Sequence, residues 1–421
     1  MNLKFISSLI ILAVLLHAAV FAAGQDAYII NSVLEISSTV QKEFYAGISE
    51  QTMFSGAASE IAKKYDTGGR KQIATRQEFA AFLSEMMSRN RQAKGDIGEL
   101  AVKGMIKSLN DPYSLFLDTK QWEYFKRVSS GEEFTGIGVE LAKKNGLFTI
   151  VSPVEGGSAA KAGIQPGDII VKAEGRNLSG MDDLDALALF DGHEGSVMRL
   201  SVRRGNSIRD FAVKRTALSL KDPAASIVKS GAKAGYLKIS YFSEKTDRQA
   251  SALLDKIRAA GIKNLIIDLR NNPGGDLNSS LRLASMFMGR KTIVTKVKSG
   301  GQKSQEKGQG DAVYSFDTVI LVNRGTASAS EVFSGAMQDY GLAKLAGETT
   351  FGKALIQSVY SLPGNAGCKI TTARYYTAKG RDILYKGLVP EIKAGDCLPK
   401  AKASEDPCVK AALKYFASKQ G

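Results

Sequence analysis

A chain of 421 residues with 44% hydrophobic and 24% charged side chains reads as an ordinary globular protein, with room for about three domains of ~150 residues each. Its formal charge of +15 can steer a protein to anionic lipid heads or cell-wall polymers. The lysines are dispersed, however, as in Lys143-Lys144 and the pair Lys400 and Lys402, with no aromatic-interleaved basic motif, so nucleic acid is not expected as a partner. Three cysteines and two histidines, one of them His17, with no clustered carboxylates, argue against a zinc site; neither a metal nor another cofactor is expected.

Residues 1–23 place Lys4 before an apolar run from Leu9 to Leu16 and small residues around Val20 to Gly24, the layout of a secretory signal. The mature chain is therefore expected outside the cytoplasm, in a bacterial periplasm or envelope, and membrane-associated only if the leader is retained. An exported chain with so few thiols is no disulfide scaffold. Cys397 with Cys408 would pin the C-terminal tail, Cys368 lies in an apparent strand, and free buried thiols are the alternative.

From Asp26 to about Phe125 apolar residues recur at helical spacing, as in Ile30, Val33, Leu34 and Phe79, Phe82, Leu83, Met86, which predicts a helical region over 24–130. Short alternating runs separated by glycine then begin at Ser129-Ser130-Gly131, with one helical stretch from Met181 to Phe190, and predict a small β-rich domain over 131–217. Beyond about Thr216, strand and helix alternate: strands Gly235 to Ser240, Asn264 to Leu269 and Thr318 to Val322, helices Asp247 to Ala260, Leu277 to Met288 and Ala329 to Tyr340. That alternation predicts a sheet covered by helices, assigned to 218–396, with a helical tail over 397–421. Ser299 to Gly310 is polar and glycine-rich and is expected to be a mobile loop.

In the β-rich region, Gly157 to Ile170 (GSAAKAGIQPGDII), preceded by Gly136-Ile137-Gly138-Val139, resembles a PDZ domain. The resemblance implies that amides at Gly136, Ile137, Gly138 and Val139 receive a terminal carboxylate while an extended peptide adds to the strand edge. Glycine at 136 and 138 lets the peptide come close; read structurally, the same glycines only build a turn.

Three stretches carry chemistry. Ser328 and Glu331 fit a helix capping box, and a nucleophile at that helix start would gain from the helix dipole. Lys353 lies between Phe351-Gly352 and Ala354-Leu355-Ile356, an apolar setting, and a lysine serves as a base only when uncharged. A strand from Lys353 to Leu362 would put Gln357 on the same face. Asp268 to Gly275 (DLRNNPGG) joins an apolar strand to a helix, and its glycines expose amides suited to an oxyanion hole, a feature worth roughly 10²–10³ in rate per donor. Each admits a structural reading: a helix cap, a strand-edge lysine and a turn.

Together, DLRNNPGG, RGTASASE, TFGK with Gln357, ARYYTAKGRDI and KGLVPEI resemble the carboxyl-terminal processing peptidases, also called tail-specific proteases, and LNDPYSLFL and EDPCVKAALKYF fit as well. The likeness implies an α/β multidomain protein: a helical N-terminal region, a PDZ-like β-rich domain and a crotonase-like α/β peptidase core. It implies Ser328 as nucleophile, Lys353 as general base and Gln357 as the residue positioning the lysine. It places the oxyanion hole at the amides of Gly274 and Ala329. The chain departs at Thr326, where serine is frequent, Ala354, where glycine is usual, Ala378, where proline is frequent, and Glu391, where aspartate is usual. Implied partners are protein substrates with apolar C-terminal tails, an adaptor protein, and further copies of the chain in a homo-oligomer. The alternative is a catalytically silent scaffold that binds C-termini; a third reading is a protease at rest until a tail or adaptor moves the PDZ-like domain.

Overall fold

Helical spacing at the start of the chain produces α1 (24–43), α2 (Glu50–Ile61), α3 (Arg76–Arg89), α4 (Lys94–Ser108) and α5 (Thr119–Ser130), with β1 (Leu115–Leu117) before the last. The computed structural model describes residues 24–69, 72–130, 134–144, 146–154, 156–179, 181, 186, 189–190, 192–218, 223–230, 232–362, 365–394, 397–399 and 405–419. The expected leader and most of the expected helix from Met181 to Phe190 lie outside these residues. Two units result: residues 1–122, 298–300 and 357–372, and residues 123–297, 301–356 and 373–421.

In the first unit α3 starts at a capping box, with the Glu78 amide on Thr75 Oγ1 (3.2 Å) and the Thr75 amide on Glu78 Oε2 (3.1 Å). Its apolar stripe, Phe79, Phe82, Leu83, Met86 and Met87, is buried. Where α2 and α4 cross, a Cβ on Gly104 would lie 2.4 Å from the Gly56 carbonyl oxygen, so only glycine permits this backbone-to-backbone contact. The LNDPYSLFL segment holds residues 366–372: Ser114 Oγ accepts from the Thr371 amide (3.0 Å), Asp111 from Thr371 Oγ1 (2.5 Å), and Leu115–Leu117 pair antiparallel with Gly367–Lys369.

The second unit begins with a β-rich module: β2 (Phe134–Gly136), β3 (Val139–Lys144), β4 (Leu147–Pro153), the short α6 (Ser158–Lys161), β5 (Ile169–Ala173), β6 (Arg176–Asn177), β7 (Val197–Arg204), β8 (Ser207–Lys214) and β9 (Thr216–Leu218). One sheet runs in the order β3-β4-β5-β7-β8, with β3 at its edge, and β2 pairs with β9. β2 and β3 are separate strands, with Gly138 at φ 77° between them. Buried Asp168 is clamped by Arg204 through two bonds of 2.7 Å.

The chain continues with β10 (Ala224–Ser230), β11 (Ala232–Lys238), α7 (Thr246–Ala259), β12 (Asn264–Asp268), α8 (Leu277–Met288), β13 (Thr292–Val297), β14 (Lys303–Lys307), β15 (Asp317–Val322), α9 (Ala329–Asp339), β16 (Ala343–Gly347), β17 (Leu355–Leu362), β18 (Ala366–Thr377), β19 (Ile392–Lys393) and α10 (Pro407–Ser418), all in the second unit except residues 357–372 of β17 and β18. The main sheet has the order β10-β11-β12-β15-β16-β19, parallel from β11 onward. Its strands are apolar on both faces because both are covered. Leu265, Ile267, Ile320 and Val322 pack with α7, α8 and α9, while Ile266, Val319 and Leu321 pack with Val409, Leu413 and Phe416 of α10.

Two expectations change here. Residues 303–307 form β14, an antiparallel partner of β13 rather than a loop; an exposed edge strand buries no face and so shows no apolar alternation. The strand after the lysine starts at Leu355, so Lys353 precedes it and the same-face argument does not hold. Cys397 and Cys408 form a disulfide. Cys368 is free and buried, and burial pushes its thiol up to about 12, which keeps it protonated and unreactive.

Candidate active site

The turn after β12 rests on buried charge. Arg270 donates to both oxygens of Asp268 (2.9 and 2.6 Å) and reaches Asp406 at the start of α10 (2.9 Å), while the Tyr236 hydroxyl donates to Asp268 (2.5 Å). Burial works against the Asp268 carboxylate, yet Arg270, with Lys238 and Tyr236, holds its pKa below the usual range. Fully buried Asn272 donates to the Ile239 carbonyl (2.8 Å), and its own carbonyl receives the Ala327 amide (3.0 Å), tying this turn to the serine loop. Gly274 has φ 105°, and a Cβ there would come within 2.8 Å of Ser328 Cβ and the Ala329 nitrogen. Glycine is thus what allows the two loops to touch.

The serine loop leaves β15 through Asn323, whose amide is held by Thr326 Oγ1 (3.0 Å); Thr326 Oγ1 in turn donates to the Leu269 carbonyl (2.8 Å). Ser328, half-buried, caps α9 with φ 54° and ψ −119°, a conformation costing a non-glycine residue about 1–3 kcal/mol and found where a side chain must be presented sharply. Glu331 supplies the half of the capping box that runs back to residue 328: its Oε2 accepts the Ser328 amide (3.0 Å). The Glu331 amide goes to the Ser328 carbonyl (2.8 Å). Among the described residues no group takes the Ala329 amide, one of the free first-turn donors of the helix.

Lys353, half-buried, stands across from the serine loop, since Glu331 Oε2 also accepts its amide (2.9 Å) and Oε1 accepts the amide of Gly352 (2.8 Å) and the hydroxyl of Thr350 (2.5 Å). Complete burial raises the Glu331 pKa despite these four donors. The Phe351 amide meets the Thr326 carbonyl (2.9 Å). From β18, the Tyr375 hydroxyl lies 3.1 Å from the Ser328 carbonyl oxygen and 2.5 Å from that of Lys353.

The structure thus brings together Ser328, Ala329, Gly274 and Lys353. It differs from expectation at Gly274, whose amide donates to Asn272 Oδ1 (2.9 Å); to receive an oxyanion it must share or exchange that partner. Gln357, the third residue of β17, belongs to the first unit, and its Nε2 is buried with no hydrogen-bond partner among the described residues. Sequence reasoning assigned no role to Tyr375, Asn272 or the Asp268–Arg270–Asp406 network, although all of these lie in motifs it singled out.

In the β-rich module, the carbonyls of Ile137 and Gly138 accept from Ala159 (2.9 Å) and Val154 (2.8 Å). Among the described residues nothing accepts from the amides of Ile137 and Gly138. Edge strand β3 follows directly. Where β4 ends, Ser152 Oγ donates to the Asn271 carbonyl (2.7 Å), one residue before Asn272.

Residues 233–394 match Peptidase family S41, and residues 149–204 match the PDZ domain. Over 296 residues the chain is 36% identical to the "Carboxy-terminal processing protease CtpA" of Bacillus subtilis, covering 70% of this chain and 63% of that protein. Over 301 residues it is 35% identical to the "Probable CtpA-like serine protease" of Staphylococcus saprophyticus, covering 71% and 60%. The chain therefore spans a little over three fifths of the length of these relatives. The photosystem II D1 C-terminal processing protease superposes with a TM-score of 0.70 at 28% identity, over 86% of this chain and 97% of that one. The mixed architecture expected from sequence, N-terminal helices followed by a PDZ domain and an α/β peptidase core, is the one found.

Proposed function

Because this chain carries a peptidase family S41 core and a PDZ domain, we propose that it is an exported serine endopeptidase that captures apolar protein C-termini and hydrolyses peptide bonds with a Ser328/Lys353 pair. One observation carries the reading: a single buried oxygen of Glu331 accepts the amides of both a strained Ser328 and Lys353. A cap or a strand-edge lysine alone needs no such link.

Lys353, in its neutral form, takes the Ser328 proton as Oγ attacks the scissile carbonyl, and the amides of Ala329 and Gly274 receive the oxyanion. The ammonium then protonates the leaving amine. Water, deprotonated by the same lysine, hydrolyses the ester and frees the serine. On the family likeness, Gln357 is the residue that orients the lysine. Ile137, Gly138 and Val139, with Gly136, receive the tail carboxylate beside β3, so selectivity resides in the tail more than at the cut. Among the described residues no helix is long and apolar enough to cross a membrane; placement in a periplasm or envelope rests on the leader.

The Gly274 amide, engaged by Asn272, favours one refinement. The enzyme rests until tail capture, or an adaptor, shifts the turn that Ser152 of the PDZ module holds through Asn271.

The test compares the parent and Ser328→Ala on an unfolded protein with an apolar tail, its C-terminus free or amidated. Cleavage by the parent, slower on the amidated form, and none by Ser328→Ala is expected; equal rates for parent and Ser328→Ala remove the nucleophile assignment. Lys353→Arg is expected to be inactive because guanidinium stays charged. Binding of tails without cleavage by the parent returns the scaffold reading.

A further inference from the structure

The structure assigns Tyr375 as a positioning residue for the Ser328/Lys353 pair, an inference that rests on the reading above. Two bridges join the nucleophile and base residues. On the amide side, one Glu331 oxygen takes both N–H groups, at 3.0 and 2.9 Å. On the carbonyl side, one phenol oxygen lies 3.1 Å from Ser328 O and 2.5 Å from Lys353 O. Its one proton is shared between these acceptors, with the shorter bond to the lysine residue.

The second bridge does what the first cannot. The Ser328 carbonyl is set by the helix start, where it accepts the amides of Glu331 (2.8 Å) and Val332 (3.0 Å), whereas Lys353 stands two residues ahead of β17, and the phenol ties the carbonyl side of the lysine residue to that fixed point. Tyr375 is itself rigid. It is 2% exposed, packs in the core cluster with Phe333, Ala354 and Leu388, and its amide donates to the Ala354 carbonyl at 3.0 Å, beside the lysine. The strand therefore delivers a fixed hydroxyl that couples the Lys353 carbonyl to the anchored start of the serine helix. No substrate contact is required of it; its effect runs through the distance and aim of the serine and lysine, where a misplacement of about 1 Å costs on the order of 10²-fold.

Tyr375→Phe removes the oxygen and keeps the ring. The full mature chain with this change is expected to lose about 10- to 100-fold in kcat on an unfolded apolar-tailed protein, with KM unchanged and thermal unfolding close to the parent's. Labelling of Ser328 by a fluorophosphonate is expected to slow in parallel. Placing 4-aminophenylalanine at position 375 returns a donor and is expected to restore most of the turnover, which a packing role alone would not produce. Parent-like kcat in Tyr375→Phe overturns the proposal, as does a folded amino variant that stays slow; should the phenylalanine variant not fold, the amino variant alone decides on the same criterion. Ser328→Ala run alongside separates the two readings. Turnover surviving in Ser328→Ala removes the Ser/Lys reading itself, whereas a dead Ser328→Ala beside a parent-like Tyr375→Phe removes only the role of the tyrosine.

Discussion

In the helical unit the packed side chains are apolar, Phe54, Phe79, Phe82, Met53 and Met86 among them, and its buried carboxylate, Glu60, is met by Lys63, Lys103 and Lys107, whose side chains stay 65%, 24% and 33% exposed. In the peptidase core Asp268, Arg270, Asp406 and Glu331 are all at most 2% exposed, and each is satisfied by named donors or acceptors. A buried ion pair adds little to stability over a well-packed apolar substitute, but losing one partner is costly. The core keeps such groups where loops, not regular elements, must be held: Arg270 fixes the turn leading to Gly274, and Glu331 fixes the serine and lysine loops. Apolar packing sets the shape of the first region; buried charge sets the geometry of the second.

The contrast breaks most sharply at Arg270. Arg270→Met leaves Asp268 and Asp406 buried without their cation and is expected to lower stability by about 3–5 kcal/mol in chemical denaturation. The sign with pH follows from Asp268, whose pKa is depressed in the folded protein. Its contribution is fully present above the ordinary value of 3.8 and drains away as pH falls toward the folded value, so the loss caused by Arg270→Met, which removes the cation that depresses that pKa, is expected to be largest near neutral pH and to shrink as pH falls. Glu331→Gln comes next, because an amide NH₂ must face donors that the carboxylate accepted; about 3 kcal/mol of stability is expected to go, with turnover falling further than stability alone explains. Glu331 has the opposite pH sign from Asp268, since its raised pKa makes the charged form the costlier one as pH rises above 4.5. In the helical unit Gly104→Ala pushes a methyl into the Gly56 carbonyl and is expected to cost about 2 kcal/mol, read as a lower Tm. Smallest is Glu60→Gln, expected near 1 kcal/mol because water already screens its lysines; a loss as large as that of Arg270→Met would erase the distinction between the regions.

What could be read from sequence followed burial. Strands covered on both faces announce themselves as apolar runs, and Asn264–Asp268 was placed to within a residue, whereas the stripes of the first unit announced a helical region without the bounds of its helices. Lys303–Lys307 was not, because backbone pairing at a solvated edge leaves no trace in side-chain pattern. At the site, Ser328, Lys353, Gly274 and Ala329 were legible through motif likeness, and the structure gathers them. Glu331 was read only as a cap, since its reach to Gly352 and Lys353 depends on a loop more than 20 residues on. Tyr375 and Tyr376 are indistinguishable in a string; the pleat of β18 buries the first and leaves the second half-exposed.

The Arg270–Asp406 contact spans 136 residues of sequence, and that distance bears on how the molecule comes to life. During vectorial synthesis the strands, Ser328 and Lys353 all emerge before the acid that completes the arginine's cage at the start of α10, which Cys397–Cys408 tethers. A nascent chain thus exposes the serine loop for some time before the turn beside it has been locked, so the geometry around Ser328 waits on α10.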